Sequence, residues 1–208
     1  MQAVALFAST GLSIWAAVIA RTRRGVPGGT AFGWMMLAIA WWSFTSAMHT
    51  LIGDYEARVA ISKFQYLGVA PIGPLWLLFT TRYSRVAWPA PHVTRVIVWI
   101  VPVITRVLAA TNEQHRLLWA SSVEGATPVG TRLAYQGGSW YWVHAAYSYF
   151  LVLIGTATLV RGLRRFPPPY HGQTAVIIIG AIVPWVGNLL YLSQALPVSG
   201  LDLTPIAF

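Results

Sequence analysis

The sequence predicts an all-α integral membrane protein with six complete transmembrane helices and the start of a seventh. Hydrophobic residues make up 56% of its 208 residues, and only 9% are charged. Soluble domains carry roughly a quarter of charged residues, so this composition is typical of a membrane chain. The mean hydropathy of +0.59 agrees with that class. The apolar runs are too long and unbroken for the short alternating strands of an outer-membrane barrel.

Six long apolar stretches define the predicted spans. A helix needs about 20 apolar residues to cross a bilayer core, and each stretch approaches that length. The predicted spans are residues 3–20, 30–52, 59–81, 93–110, 140–160 and 174–194. The third contains Pro71, Gly73 and Pro74, so we expect a kink or a local unwinding there.

Four residues of the sixth predicted span differ from its aliphatic background and share one helical face, because they are spaced four, four and three apart. They are Gly180, Pro184, Asn188 and Tyr191. A stripe of this kind favours contact with other helices over contact with lipid. Asp202, Thr204 and Pro205 then fall where a seventh helix should begin, with Asp or Thr as the cap and Pro in the first turn. We expect the 208 residues to stop within that last helix.

Charge asymmetry orients these spans. The connections after spans one, three and five, with the base of span four, hold nine Arg and no acid: Arg21, Arg23, Arg24, Arg82, Arg85, Arg95, Arg161, Arg164 and Arg165. The opposite side holds the other five cations and all five acids: Arg58, Lys63, Arg106, Arg116, Arg132, Asp54, Glu56, Glu113, Glu124 and Asp202. Because cations favour the cytoplasmic side, the sequence predicts a multi-pass protein of the cell membrane with its N-terminus outside. The net charge of +9 is thus explained by topology, and we expect no nucleic-acid partner.

Polar side chains within the spans cluster in the outer halves. They are His49, Tyr66, His144, Tyr147, Asn188 and Tyr191. Buried polar groups in a membrane tend to face one another or a cavity, so these residues predict a ligand pocket in the outer leaflet. Several residues at this depth have simpler interpretations. Trp140 and Trp142 are typical of an interfacial aromatic belt, and Lys63 of a side chain that snorkels to the surface. Asn188 could hydrogen-bond the carbonyls freed by Pro184. A metal held by His49 and His144 alone is weakly supported, and no metal or cofactor is predicted.

The longest connection, residues 111–139, is predicted to lie outside. Its segments LLWASSV and TRLAY have strand character, and Gly, Pro and Thr separate them. This pattern favours a β-hairpin that caps the helices, and a solvated loop is the alternative. Asn112 and His115 lie at the start of this connection and are also predicted to bind the ligand.

The chain resembles the N-terminal seven-helix sensor domain of membrane histidine kinases, which also precedes diguanylate cyclases. The resembling segments are KFQYLGVAPIGPLWLLFTTRYS, TNEQH with LLW, YWVHAAYSYFLVLIG, PYHGQTAVIIIGAIVPWVGNLLYL and DLTPIAF. The resemblance implies family positions at Asn112, His115, Tyr147, Gln173, Pro184, Asn188, Asp202, Thr204 and Pro205. It also implies one membrane sensor domain over residues 1–208, without a soluble catalytic domain. A parent kinase or cyclase, and a homodimer formed through a C-terminal region, follow from the same resemblance.

No catalytic constellation is visible in the sequence. There are no cysteines, no phosphate-binding Gly-rich loop and no paired carboxylates in the spans. The predicted function is signal input: a small or lipophilic ligand binds the outer pocket, and the last helix relays the change to a cytoplasmic output domain. A small-molecule or ion transporter is the alternative. A retinal photoreceptor is disfavoured, because the sole lysine, Lys63, is near the end of the third span.

Overall fold

A computed structural model describes residues 2–22, 25–86, 91–127, 130–163, 172, 176–177 and 179–180. These residues are mostly helical. The helices are α1 (Gln2–Thr22), α2 (Gly29–Leu51), α3 (Tyr55–Val69), α4 (Ile72–Tyr83), α5 (Pro91–Ala110), α6 (Asn112–His115) and α7 (Ser139–Leu163). The strands are β1 (Trp119–Thr127) and β2 (Gly130–Gly137).

Three helices in the described part of the chain are long and apolar enough to cross a membrane. They are Gln2–Thr22, Val93–Ala110 and Ser139–Gly162. α2 also coincides with a predicted span, and α3 and α4 together cover another. Most of the sixth predicted span, with Asp202, Thr204 and Pro205, lies outside the described residues. The count of six complete spans therefore stays a prediction.

The predicted break in the third span is confirmed. α3 ends at Val69 and α4 begins at Ile72. Pro71 precedes α4, and its carbonyl accepts a hydrogen bond from the backbone N–H of Leu75, at 3.0 Å. Pro74 falls in the first turn of α4, where its missing N–H leaves no helical hydrogen bond unmade. The prolines thus divide the predicted third span into two short helices.

Glycines let the helices approach closely. α2 packs against α1, α3 and α4, while α7 packs against α4 and α5. A Cβ atom at residue 68 would lie 2.5 Å from the carbonyl oxygen of Ala38, so only Gly68 permits this approach of α3 to α2. A Cβ atom at residue 155 would lie 2.7 Å from the Trp76 ring, which fixes α4 against α7. Small residues serve the same purpose in other packed membrane helices.

The predicted β-hairpin is present. β1 and β2 pair antiparallel from Ser121 opposite Gln136 to Thr127 opposite Gly130, with an irregularity next to Trp119. The hairpin is tied to the start of α7, since the N–H of Trp140 donates to the Leu117 carbonyl at 2.9 Å. The hairpin therefore lies at the end of the helices where α7 begins.

The other end of the helices brings together the start of α2, the end of α4 and the last turn of α7. A Cβ atom at Gly28 would lie 2.8 Å from the Phe79 carbonyl oxygen, and one at Gly162 would lie 2.8 Å from Ser84 Oγ. We call this the Arg-rich end and the opposite one the hairpin end. The grouping agrees with the predicted common side of residues 21–30, 83–91 and 161–172. Which side faces the cytoplasm stays a prediction.

Candidate functional site

Five ring-bearing side chains form one layer beneath the hairpin. We define this aromatic layer as Tyr66, Trp119, Tyr135, Trp140 and His144. It draws on α3, both strands and α7, and it packs on Ala109 of α5. Tyr66, Trp119 and His144 are at most 8% exposed. The layer is therefore a closed junction between the hairpin and three helices.

The rings contact one another in series. Trp119 stacks on Tyr135 with centroids 4.9 Å apart, and it meets Tyr66 edge-on at 5.5 Å. Tyr66 in turn lies 6.1 Å from the His144 ring. Aromatic pairs at such distances contribute about 0.5–1.5 kcal/mol beyond their area burial. Trp119 thus connects the hairpin to α3, and Tyr66 connects α3 to α7.

The phenol of Tyr135 anchors the hairpin to α3. Its hydroxyl donates to Ser62 Oγ at 2.8 Å, and Ser62 Oγ donates to the carbonyl of Arg58 at 3.0 Å. Burial raises the pKa of Tyr135 to about 12, against a smaller lowering by the Ser62 hydrogen bond. Tyr135 is therefore a neutral hydrogen-bond donor at physiological pH. Arg58 is buried too, and its Nε donates to the Ile52 carbonyl at 2.5 Å.

Thr105 is the polar centre between α5 and α7. Its hydroxyl donates to the Val101 carbonyl at 2.8 Å and accepts from Trp140 Nε1 at 2.9 Å. His144 Nδ1 lies 3.3 Å from the same oxygen. Since the Thr105 proton is directed to Val101, we infer that His144 carries its proton on Nδ1 and donates. Nε2 of His144 is then a hydrogen-bond acceptor.

Asn112 holds the loop that leads into the hairpin. Its Oδ1 accepts from the backbone N–H groups of Leu118 and Trp119, both at 3.0 Å, and its Nδ2 donates to the Trp119 carbonyl at 3.0 Å. Three hydrogen bonds to one buried amide fix the backbone of Leu118 and Trp119. Asn112 therefore sets the position of the central ring of the aromatic layer.

His115 closes the turn after α6. Its Nδ1 accepts from the N–H of Leu117 at 3.1 Å, and its Nε2 lies 3.0 Å from Thr111 Oγ1. The Thr111 hydroxyl donates to the Val107 carbonyl at 2.9 Å, so Nε2 of His115 is the donor toward Thr111. The ring therefore joins the end of α5 to the start of the hairpin.

An ion pair lies beside the layer at the surface. Lys63 Nζ pairs with Glu113, and Arg106 donates to the Lys63 carbonyl at 2.8 Å. The hydrogen bond from Lys63 lowers the pKa of Glu113, and the backbone adds to that effect. The pair ties α3 to α6. Within the described ranges, no group of three or more His, Asp or Glu side chains could hold a metal.

The described residues thus form a helical chain with a capping hairpin and a polar aromatic junction, and we find no catalytic group of residues among them. The family model described as the N-terminal 7TM region of histidine kinase matches residues 4–208. The chain belongs to this family. No curated protein and no solved structure matches it. The resemblance predicted from the sequence is confirmed, and the 7TM region is a non-catalytic sensor input region of a membrane protein.

The predicted site residues of the 7TM region fall in several places. Tyr66 and His144 meet in the aromatic layer. Asn112 and His115 bind the hairpin loop rather than the layer itself. Tyr147 lies in a neighbouring cluster with Val98 and Leu151, where its hydroxyl donates to the Val98 carbonyl at 2.5 Å. His49 is in the last turn of α2 and is partly buried. Asn188, Tyr191 and Pro184 lie outside the described residues, as does Gln173.

Sequence reasoning missed the residues that join the hairpin to α3 and the residue that joins α5 to α7. The first are Ser62, Trp119 and Tyr135, and the second is Thr105. Ser62 and Thr105 carry no pattern that separates them from hydroxyls bonded only within their own helix. The strand pattern of the hairpin did contain a signal, because a Trp and a Tyr in two paired strands of a membrane protein must pack on something apolar.

Proposed function

We propose that this 7TM region is the signal-input domain of a histidine kinase, and that a small or lipophilic ligand acts on its aromatic layer. The observation that carries the proposal is that one buried layer joins the hairpin to α3, α5 and α7. A ligand can change helix positions only if it binds two arrangements with different affinity. Because four elements share this layer, a ligand that displaces one of its rings would bind one arrangement of these elements more tightly than another.

The ligand class follows from the groups in the layer. Trp119, Tyr66 and Tyr135 present apolar ring faces. His144 Nε2 and the hydroxyl of Tyr66 add hydrogen-bonding groups to those faces. A compact molecule with an apolar body and one or two polar groups could displace Trp119 from this packing. We also propose that His49, Tyr147, Asn188 and Tyr191 extend the site along the same depth.

The signal would travel inward along α7. The start of α7 carries Trp140 and His144, and its far part packs on α4 at Gly155. A shift of the α7 start therefore moves a helix that is closely packed at the Arg-rich end. Pro184 and the cap formed by Asp202, Thr204 and Pro205 would carry the change into the last helix. A homodimer formed through the C-terminal continuation would pass it to a cytoplasmic kinase.

The test uses the full-length kinase that contains this region, reconstituted in lipid nanodiscs. Autophosphorylation is measured for His144→Ala and Tyr66→Phe beside the unchanged protein. If the layer sets the input state, basal activity should change about five-fold or more in either direction, with normal insertion. Asp202→Ala should also alter output without abolishing insertion.

Trp142→Phe is the matched control, because Trp142 is on α7 but is 57% exposed. Its autophosphorylation should equal that of the unchanged protein. Wild-type activity in both layer variants would refute the proposal. Saturable solute uptake into proteoliposomes, with no dependence of kinase activity on the layer, would favour a transporter.

A further inference from the structure

A groove of about 390 Å³ lies between the end of α1 and the start of α2. It is at the Arg-rich end, and so at the opposite end of the helices from the aromatic layer. Its lining includes Arg21, Val26, Gly29, Thr30, Gly33 and Trp34. Gly29 and Gly33 are one helical turn apart, and a Cβ atom at either would lie 3.6 Å from an atom of Ala20. Both distances are ordinary van der Waals contacts, so the two glycines line the groove with backbone and leave its space unfilled by side chains.

Among the described residues that line the groove, Arg21 is the one cation and none is an acid. The guanidinium carbon of Arg21 lies 5.3 Å from the centroid of the Trp34 ring, a cation–π contact that keeps the charge beside the groove. The nearest acid in the sequence is Asp54, beyond the far end of α2. Arg23 and Arg24 follow Arg21 in the sequence. The groove thus suits an anion.

Exposed apolar side chains adjoin this charge. Val26 is 50% exposed and Trp34 is 53% exposed. A free phosphate ion would leave both of these surfaces in contact with water or lipid, with no gain from them. A phospholipid would use the whole groove, because its phosphate meets Arg21 and its acyl chains cover Val26 and Trp34.

Backbone amides add to the positive potential. α2 starts after Gly28, whose φ is 83° and which supplies no side-chain cap. The Gly29 N–H donates to the Val26 carbonyl at 3.0 Å. The next amides of a first turn lack acceptors within the helix and lie at its positive dipole end. Thr30, in that first turn, lines the groove. A phosphate oxygen beside Thr30 would therefore meet both an amide end and a guanidinium.

We propose that this groove binds the headgroup of an anionic phospholipid. Arg21 is the recognition residue, since a guanidinium binds phosphate with directed, charge-assisted hydrogen bonds. Trp34 holds Arg21 in place and covers the glycerol and upper acyl region. The lipid would fix the distance between α1 and α2, which is independent of whether a ligand occupies the aromatic layer.

The test is native mass spectrometry of the purified 208-residue chain in micelles that contain equal amounts of dioleoylphosphatidylglycerol and dioleoylphosphatidylcholine. The unchanged protein should retain phosphatidylglycerol in preference. Arg21→Gln should lower that affinity about ten-fold, whereas Arg21→Lys should lower it less. Arg161→Gln is the matched control, because it removes the same charge at the same end but outside the groove.

A second variant guards against a folding defect. Thr30→Glu places a negative charge in the groove at a helix start, where an acid favours the helix, so the fold should hold while lipid affinity falls. Equal retention of the two lipids by the unchanged protein would overturn the proposal. An equal loss in Arg161→Gln would also overturn it, since the effect would then be a general one of basic charge. Displacement of the lipid by excess inorganic phosphate would assign the groove to a free anion instead.

Discussion

The hairpin end and the Arg-rich end differ in the side-chain hydrogen bonds that join their elements. At the hairpin end, the Tyr135 hydroxyl joins the hairpin to α3, and the Trp140 indole joins α7 to α5. Glycine contacts with no room for a Cβ atom occur at both ends, at Gly138 against Leu117 beside the hairpin and at Gly28, Gly155 and Gly162 toward the Arg-rich end. Side-chain contacts can be exchanged for contacts with a ligand, whereas close packing transmits movement with little loss. The hydrogen-bonded side chains of the hairpin end therefore fit the proposed signal input, and the close packing of α4 against α7 fits the proposed relay.

The largest expected effect concerns the close packing. Gly155→Leu should destabilise the protein by about 3 kcal/mol, because its side chain would collide with Trp76 and Thr80 Oγ1. Thermal unfolding in detergent, followed by the fraction of monodisperse protein, measures the loss. Gly11→Leu is the control, since no atom lies within 4 Å of a Cβ at residue 11. Similar losses in the two variants would show that residue 155 is no closer to its neighbours than residue 11.

The next effect concerns the support of the hairpin. Asn112→Ala should cost about 2 kcal/mol, because it leaves the N–H groups of Leu118 and Trp119 and one carbonyl without partners. Hydrogen exchange of residues 117–137 should accelerate, while exchange in α1 and α2 stays unchanged. Gln114→Ala, an exposed neighbour in α6, should leave the hairpin protected. Unchanged protection in Asn112→Ala would contradict the support role.

A smaller effect isolates one polar contact inside the layer. Trp140→Phe keeps an aromatic ring but removes the hydrogen bond to Thr105 Oγ1, so it should cost about 1 kcal/mol. The unfolding midpoint and the exchange of the first turn of α7 should both change. Trp142→Phe, at a 57% exposed position, provides the comparison. If both variants unfold at the same temperature, the indole N–H of Trp140 has no structural role.

The sequence predicted the helices and the hairpin better than it predicted the contacts between them. Apolar length located the helices, and Pro71 and Pro74 located the break, because both depend on local chemistry alone. Turn and strand residues located the hairpin for the same reason. The hairpin end was predicted only in outline. Tyr66 and His144 share the outer depth, but their contact with Trp119 depends on how a long loop folds back, which helical spacing does not encode.

The smallest expected effect is that of the surface ion pair. The hydrogen bond from Lys63 lowers the pKa of Glu113. The pair therefore stabilises the fold at pH values above the usual carboxyl pKa, and this stabilisation is lost as the pH falls through the lowered pKa. Glu113 is largely exposed, so Glu113→Gln should cost only a few tenths of a kcal/mol at neutral pH. Unfolding midpoints of the two proteins should converge at acidic pH and at high salt. A difference that persists there would mean that Glu113 acts through something other than charge, and Glu56→Gln is the control.

The central claim, that the aromatic layer is coupled to the Arg-rich end, can be measured without a ligand. The chain has no cysteine, so spin labels can be placed specifically at Arg82→Cys and Arg161→Cys, on exposed positions of α4 and α7. Pulsed electron paramagnetic resonance then reports the distance between the two spin labels in nanodiscs. Trp119→Ala, added to this pair, should shift or broaden the distance distribution, whereas Val123→Ala on the exposed hairpin surface should not. An unchanged distribution in Trp119→Ala, together with faster hydrogen exchange of the hairpin, would contradict the account.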